Sequence, residues 1–367
     1  MYVPSVIGLM CLVFRHIGAD DLSNESQLQV CADGYCLPKH LCPTGRIEED
    51  NDDGSRLLTL DVEQENECDD FMKICCIGAS KDYPKAGFGF MASVSSVEHK
   101  CGVSNPGGLV YNVTSNLTYA GYAEFPWTVA IFKSDYKKND LILVHVGGGS
   151  LIHPKFVLTA AHIVYKPERY IARLGEWNMR SEAEIYSSQD IGVEERIKHP
   201  NYLDTCMPNN DIALLVLKRS VIYTEHIRPI CLPSPQDVFD GQRCIATGWG
   251  VDIRTNEPAD IMKRTELPVV PKARCQLLYR VADSDDSFRL HQSAMCAGGE
   301  VGADTCSKDG GSPLACSRED ESYVLAGIVS WGLECGRIDA PGVYVDVAKF
   351  ACWINDTIEG YEELHGI

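Results

Sequence analysis

The sequence predicts an all-β protein in two unequal parts: a small disulfide-held module, then a large domain of short strands ending in a helix. Three observations carry this. Six cysteines crowd into residues 31–76, and so short a segment buries too little apolar surface to fold without bridges. From about Cys101 onward, short β-type runs alternate with turn residues, as at residues 141–146, 156–158 and 212–217; this is the rhythm of a barrel-forming chain. Near the end, Val347, Phe350, Ala351, Ile354 and Ile358 recur at helical spacing.

The 367 residues suffice for one large domain plus a small one. Hydrophobic residues make up 45%, as in a soluble globular protein, and the formal net charge is −19. That charge argues against nucleic acid and against anionic membranes, and its plain reading is solubility. Residues 1–19 form a signal peptide by length and shape: an apolar run from Val3 to Phe14, then Gly18 and Ala19, although no Lys or Arg precedes the run. It is too short to remain as a membrane span. The chain has 17 cysteines. Without Cys11 sixteen remain, enough for eight bridges in a secreted protein. Asn24, Asn112, Asn116 and Asn355 head Asn-x-Ser/Thr sequons and are candidate glycosylation sites.

In the first module the adjacent pair Cys75-Cys76 and the outer spacings do not fit zinc ligands, and many disulfide pairings stay open on spacing alone. The pattern C-x4-C-x5-C…C-x6-C-C, running from Cys31 to Cys76, resembles the clip domain of arthropod serine proteases and their homologues. The resemblance implies Cys31–Cys75, Cys36–Cys68 and Cys42–Cys76, and a clip domain over residues 31–76. Inside it, the acidic stretch 47–55 reads as an exposed loop flanked by Arg46 and Arg56, the favoured points for a trypsin-like cut. Residues 77–100 are a Gly-, Ser- and Pro-containing linker, with Lys81 and Lys85 as further cut points.

Residues 101–367 resemble the trypsin/chymotrypsin family, which implies a trypsin-like double β-barrel with a C-terminal helix. Thr159-Ala160-Ala161-His162 matches the histidine motif, and Asn210-Asp211-Ile212-Ala213-Leu214-Leu215 the aspartate motif. The nucleophile loop reads Lys308-Asp309-Gly310-Gly311-Ser312-Pro313-Leu314, so Gly310 stands where the family has its serine. A glycine has no oxygen to acylate, and His162 and Asp211 are left as triad remnants with a structural role. Ser312 lies two residues too far along, and neither it nor Ser307 substitutes. Lys308 replaces the glycine of the oxyanion position and brings a cation to the entrance. The specificity pocket is kept: Asp304 matches the residue that pairs with a substrate Arg or Lys. Gly332 and Gly342, in Ser330-Trp331-Gly332 and Pro341-Gly342-Val343-Tyr344, match its walls.

The activation segment departs from the family. No Arg or Lys stands before the expected new terminus near Val113, and Asn112 and Asn116 occupy the place. Asp309 is then expected to lack its usual ammonium partner, with Lys308 or water compensating in a zymogen-like loop. The resemblance further implies Cys101–Cys231, Cys244–Cys316, Cys275–Cys296 and Cys306–Cys335. Gly147 and Ile163 replace the bridge beside the histidine, and Cys206–Cys352 follows by elimination. Asn178, Glu182, Glu184 and Asp190, in the loop after Glu176, offer oxygen ligands for calcium, but acidic loops are common and no metal or other cofactor is expected.

The combination resembles the non-catalytic clip-domain serine protease homologues of insect haemolymph, including the prophenoloxidase-activating cofactors of melanisation. The resemblance implies a secreted protein that binds prophenoloxidase or clip-domain proteases, with oligomerisation after cleavage. The rival readings are a decoy that restrains a protease or a complement-like partner, an active trypsin-like endopeptidase, and a purely structural glycoprotein.

Overall fold

The computed structural model describes residues 29–31, 34–42, 58–61, 68–77, 100–114, 119–137, 140–283 and 286–366. The signal peptide, Asn24, Arg46, Arg56, Lys81, Lys85, Asn116 and nearly all of the linker lie outside them.

Two closed six-stranded barrels form the large domain. The first joins Gln189–Lys198, Ala213–Leu217, Phe156–Thr159, Asp140–His153, Thr128–Lys137 and Tyr170–Leu174, in that order around the sheet. Phe156–Thr159 and Ala213–Leu217 are buried at every position, whereas Tyr170–Leu174 alternates. The apolar runs are covered on both faces, Val157 and Leu215 in the barrel core and Phe156 and Leu214 in the larger cluster outside it, whereas a period-2 pattern buries one face only. The second joins Arg243–Gly248, Lys263–Val270, Ala294–Ala297, Gly342–Asp346, Tyr323–Trp331 and Pro313–Ser317. Separate cores fill the barrels, Leu151, Val157 and Leu215 in the first and Leu267, Leu314 and Val324 in the second. A larger cluster around Trp127, Trp177 and Trp249 spans both barrels.

The chain ends in a 3-10 turn, Val347–Phe350, followed by the helix Ala351–His365, which buries Ala351, Ile354 and Tyr361. A second helix, Lys272–Asp283, was not anticipated. Its signal is present in the strong helix formers after Pro271 and in Cys275 and Tyr279, both buried and four residues apart. No helix among the described residues is long and apolar enough to cross a membrane.

In the small module, Val30–Cys31, Gly34–Pro38 and Lys73–Ile77 form an antiparallel sheet. Cys31–Cys75, Cys36–Cys68 and Cys42–Cys76 are bonded there. The large domain carries Cys101–Cys231, Cys244–Cys316, Cys275–Cys296 and Cys306–Cys335. The expected Cys206–Cys352 bridge is absent: both thiols are free and exposed. Cys352 lies one position beyond Ala351, off the stripe that buries Ile354 and Tyr361, so its side chain faces solvent.

The module does not stand apart from the barrels. Met72 is 1% exposed inside the inter-barrel cluster, and the Phe71 ring lies 6.1 Å from that of Trp177. Ser181 Oγ donates to Asp70 Oδ2 at 2.6 Å, and Tyr111 Oη lies 3.2 Å from His40 Nδ1. The backbone of Leu58–Asp61 pairs in parallel with Tyr111–Thr114, which includes Asn112 and Val113. Asn355 is exposed on the C-terminal helix.

Candidate functional site

The site lies where the barrels meet, and both contribute to it. From the first barrel, the buried strand Phe156–Thr159 runs into a 3-10 turn, Ala161–Ile163, that presents His162. Its Nδ1 is 2.7 Å from Asp211 Oδ2, and its backbone N–H donates to Asp211 Oδ1 at 2.9 Å. From the second barrel, Ser330 Oγ donates to Asp211 Oδ2 at 2.6 Å. The buried carboxylate is thereby held by three donors, and the imidazole is fixed in orientation.

Opposite His162 Nε2 stands Gly310, which carries no hydroxyl. An ideal Cβ built on Gly310 would stand 2.7 Å from Nε2 and 3.0 Å from Ile163 Cδ1. The imidazole and the Ile163 side chain have closed into the space a serine would need. Ile163 also packs at Gly147, where a Cβ would meet its Cδ1 at 2.8 Å and Gly310 O at 2.5 Å. The two positions that replace a family cystine are therefore in contact, one bulky and one bare. Ser312 is buried and wedged between Gly148 and Gly248, its Oγ without a hydrogen-bond partner among the described residues. Ser307 is exposed.

The expectation that Lys308 or water compensates Asp309 is corrected. Lys263 Nζ lies 2.9 Å from Asp309 Oδ2, and the two side chains are only 8% and 3% exposed. Lys263 Nζ also donates to Val251 O at 2.9 Å. Asp309 Oδ1 accepts from Gly250 N–H at 2.7 Å and Oδ2 from Cys306 N–H at 3.0 Å. Lys308 is exposed instead. The other nearby base, His145, cannot serve as a cation: burial pushes its imidazole down to about 4, against the pull of Asp309. A lysine at an inward position of Lys263–Val270, on the face of Leu267 and Val269, was the only sequence signal for this pair.

Asp304 is buried beneath the loop and is likewise held by backbone. Its Oδ2 accepts from Gly336 N–H at 2.7 Å and Oδ1 from Thr305 N–H at 2.8 Å. Gly342 lies against it, since a Cβ there would come within 3.4 Å of Asp304 Oδ1. At Gly332 a Cβ would meet only Gly342 Cα, at 4.0 Å. Burial pushes the Asp304 carboxyl up to about 6, and the two N–H donors offset only part of that.

The acidic loop after Glu176 lines a cleft of about 590 Å³ with Glu182, Glu184 and Asp190. Arg173 already supplies a cation there, bonded to Asp190 Oδ1 at 2.7 Å and to Glu176 Oε2 at 3.2 Å. Asn178 N–H donates to Glu184 Oε1 at 3.1 Å, and no described group of side chains is arranged to hold a metal ion. Burial, then the neighbouring Glu176, pushes the Glu184 carboxyl from 4.5 up to about 8. A carboxyl raised on folding contributes stability that is fully present below 4.5 and lost as pH rises through about 8. Glu184→Gln is therefore expected to raise the melting temperature above pH 8 and to leave it nearly unchanged at pH 4. A flat difference between the variants across that range would contradict the assignment.

The trypsin family profile matches residues 116–354. The chain is 48% identical over 337 residues to "Inactive CLIP domain-containing serine protease A8" of Anopheles gambiae, covering 92% of each chain. It is 41% identical over 349 residues to "Inactive CLIP domain-containing serine protease A28" of the same mosquito, covering 91% of each. It is 41% identical over 271 residues to "Phenoloxidase-activating factor 2" of Galleria mellonella, covering 71% of this chain and 89% of that one. With a double barrel, an oriented histidine and Gly310 opposite it, the chain belongs to the trypsin family as an inactive clip-domain serine protease homologue.

Proposed function

We propose that this pseudoprotease is a secreted cofactor of prophenoloxidase activation, acting by protein binding in an extracellular immune cascade. The observation that carries the reading is a nucleophile loop kept in order without a nucleophile: Asp309 is tied down from inside by Lys263, while Gly310 occupies the serine position. The similarity to a phenoloxidase-activating factor and to inactive clip proteins gives the loop a setting. A cut in the clip loop by an upstream protease would reorient the clip module and present prophenoloxidase to an active protease. Reconstitution tests this: cut protein, added to prophenoloxidase and its activating protease, is expected to raise phenoloxidase activity above that with uncut protein. A fall would make it a decoy, and no change a bystander.

Restoring the hydroxyl alone is not expected to restore proteolysis. Gly310→Ser places a Cβ against both His162 and Ile163, and Lys308 remains at the oxyanion position. Hydrolysis of an arginyl chromogenic substrate should stay at background; turnover inhibited by a serine-directed probe would refute this. The Asp304 pocket is expected to bind benzamidine, and binding should weaken as pH falls through about 6, where the carboxyl takes up a proton and loses its attraction for an amidinium. No calorimetric heat at millimolar benzamidine and pH 8 would remove the pocket from the proposal.

A further inference from the structure

The loop after Tyr170–Leu174 carries the oxygens of a cation site, yet the chain engages them itself. Arg173 and Asp190 stand opposite each other on the paired strands Tyr170–Leu174 and Gln189–Lys198. The guanidinium donates to Asp190 twice, Nε to Oδ1 at 2.7 Å and Nη2 to Oδ2 at 2.8 Å, and its Nη1 donates to Glu176 Oε2 at 3.2 Å. Its Cζ also lies 5.0 Å from the centroid of the ring of buried Phe132. A planar fork of donors over an aromatic face suits Arg better than Lys. Three more oxygens accept from the loop's own backbone: Glu176 Oε1 from Trp177 N–H at 2.9 Å, Glu184 Oε1 from Asn178 N–H at 3.1 Å, and Asn178 Oδ1 from Arg180 N–H at 3.1 Å. Glu182 is exposed. Calcium takes about 6–8 oxygen ligands, so these residues do not fit it.

The same loop seats the clip module. Glu176, held by Arg173, fixes the N–H of Trp177. The Trp177 ring meets Phe71 edge-on at 6.1 Å and stacks on Tyr111 at 6.3 Å. Asn178 O accepts from Ser181 N–H at 2.9 Å, and Ser181 Oγ donates to Asp70 Oδ2 at 2.6 Å. Asp70 Oδ1 in turn accepts from Met72 N–H at 2.9 Å. A contiguous set of contacts therefore runs from the guanidinium to Phe71 and Met72, the two clip residues that pack on the inter-barrel cluster. Arg173 itself makes no hydrogen bond or ion pair to a described residue of the module.

We propose that Arg173 is the latch of the clip module: a built-in cation that takes the place of a divalent metal ion, orders the loop from Glu176 to Asp190, and so keeps Trp177 and Ser181 where Phe71 and Asp70 meet them. Without it, Glu176 and Asp190 lose the cation between them, and Glu176 is buried. The loop then opens to hydrate that carboxylate, because a buried charge stripped of its partner is strongly destabilising. Docking of the module by this route needs no metal. The latch goes beyond the cofactor role and does not depend on it.

The test is amide hydrogen exchange on the full chain, parent against Arg173→Gln and Arg173→Lys, together with melting of the parent in millimolar calcium and in EDTA. Loss of the charge-assisted hydrogen bonds should open the seat, so in Arg173→Gln exchange at 69–77 and 111–114 should speed up roughly tenfold or more. Phe156–Thr159 and Ala213–Leu217, in the first barrel, should stay protected. Arg173→Lys keeps the charge without the fork and should fall between the parent and the Gln variant. The parent should melt at the same temperature in calcium and in EDTA, to within about 1 °C, since a bound ion would shift it by mass action. Unchanged exchange at 69–77 in Arg173→Gln, a Lys variant no better protected than the Gln variant, or loss of protection spread over both barrels would each overturn the inference. So would a parent melting temperature that calcium raises by several degrees.

Discussion

Lys263→Met is expected to cost about 3–5 kcal/mol of stability, because removing one member of a buried ion pair strands the other. Asp309 would keep the N–H groups of Gly250 and Cys306 but lose its cation, with its carboxylate still buried. For a domain of this size that loss corresponds to a fall in melting temperature of roughly 10 °C. The damage should also be local. Amide exchange should rise in peptides covering 249–252 and 304–312, the segments that Lys263 and Asp309 bind, more than in the first barrel. Asp309→Asn strands the lysine in the same way, so the double variant should cost less than the sum of the single ones. A melting temperature within about 2 °C of the parent for Lys263→Met would mean that the pair does not hold the loop.

The same pair marks the limit of what can be read from sequence. His162 and Asp211 are legible because each sits in a short motif whose neighbours, the buried strands Phe156–Thr159 and Ala213–Leu217, also fix its position. Gly310 is legible because the loop around it is a motif. Lys263 has no motif: it stands 46 residues from Asp309, and only the closure of the second barrel brings the two together. Conformation is equally silent, since nothing in the letters Lys-Asp-Gly announces a left-handed lysine. The Cys206–Cys352 pairing failed because counting says nothing of which face of a helix a thiol occupies. The seat of the clip module has no motif either, since nothing in the sequence tells that Met72 packs on the barrels and not in its own module. The module's own core is mostly cystine, and the methionine is spent on the barrels.

Met72→Ala should therefore act on docking rather than on the clip fold. Truncating a buried methionine to alanine costs about 2–5 kcal/mol. Here the loss falls on a contact that also includes the Phe71–Trp177 ring pair, the Ser181–Asp70 hydrogen bond and the Tyr111–His40 contact. The module is bonded internally by Cys36–Cys68 and Cys42–Cys76, so it should survive undocking as a folded unit. Hydrogen exchange should rise at Tyr111–Thr114, which pairs with the clip strand Leu58–Asp61, while Phe156–Thr159 and Ala213–Leu217 stay protected. Loss of protection throughout both barrels would show that Met72 supports the large domain instead. The variant also separates two accounts of activation. If a cut in the clip loop works by releasing the module, uncut Met72→Ala should stimulate prophenoloxidase activation as the cut parent does. If the cut works by creating a new chain end, the uncut variant should stay silent, since undocking exposes the seat but creates no terminus.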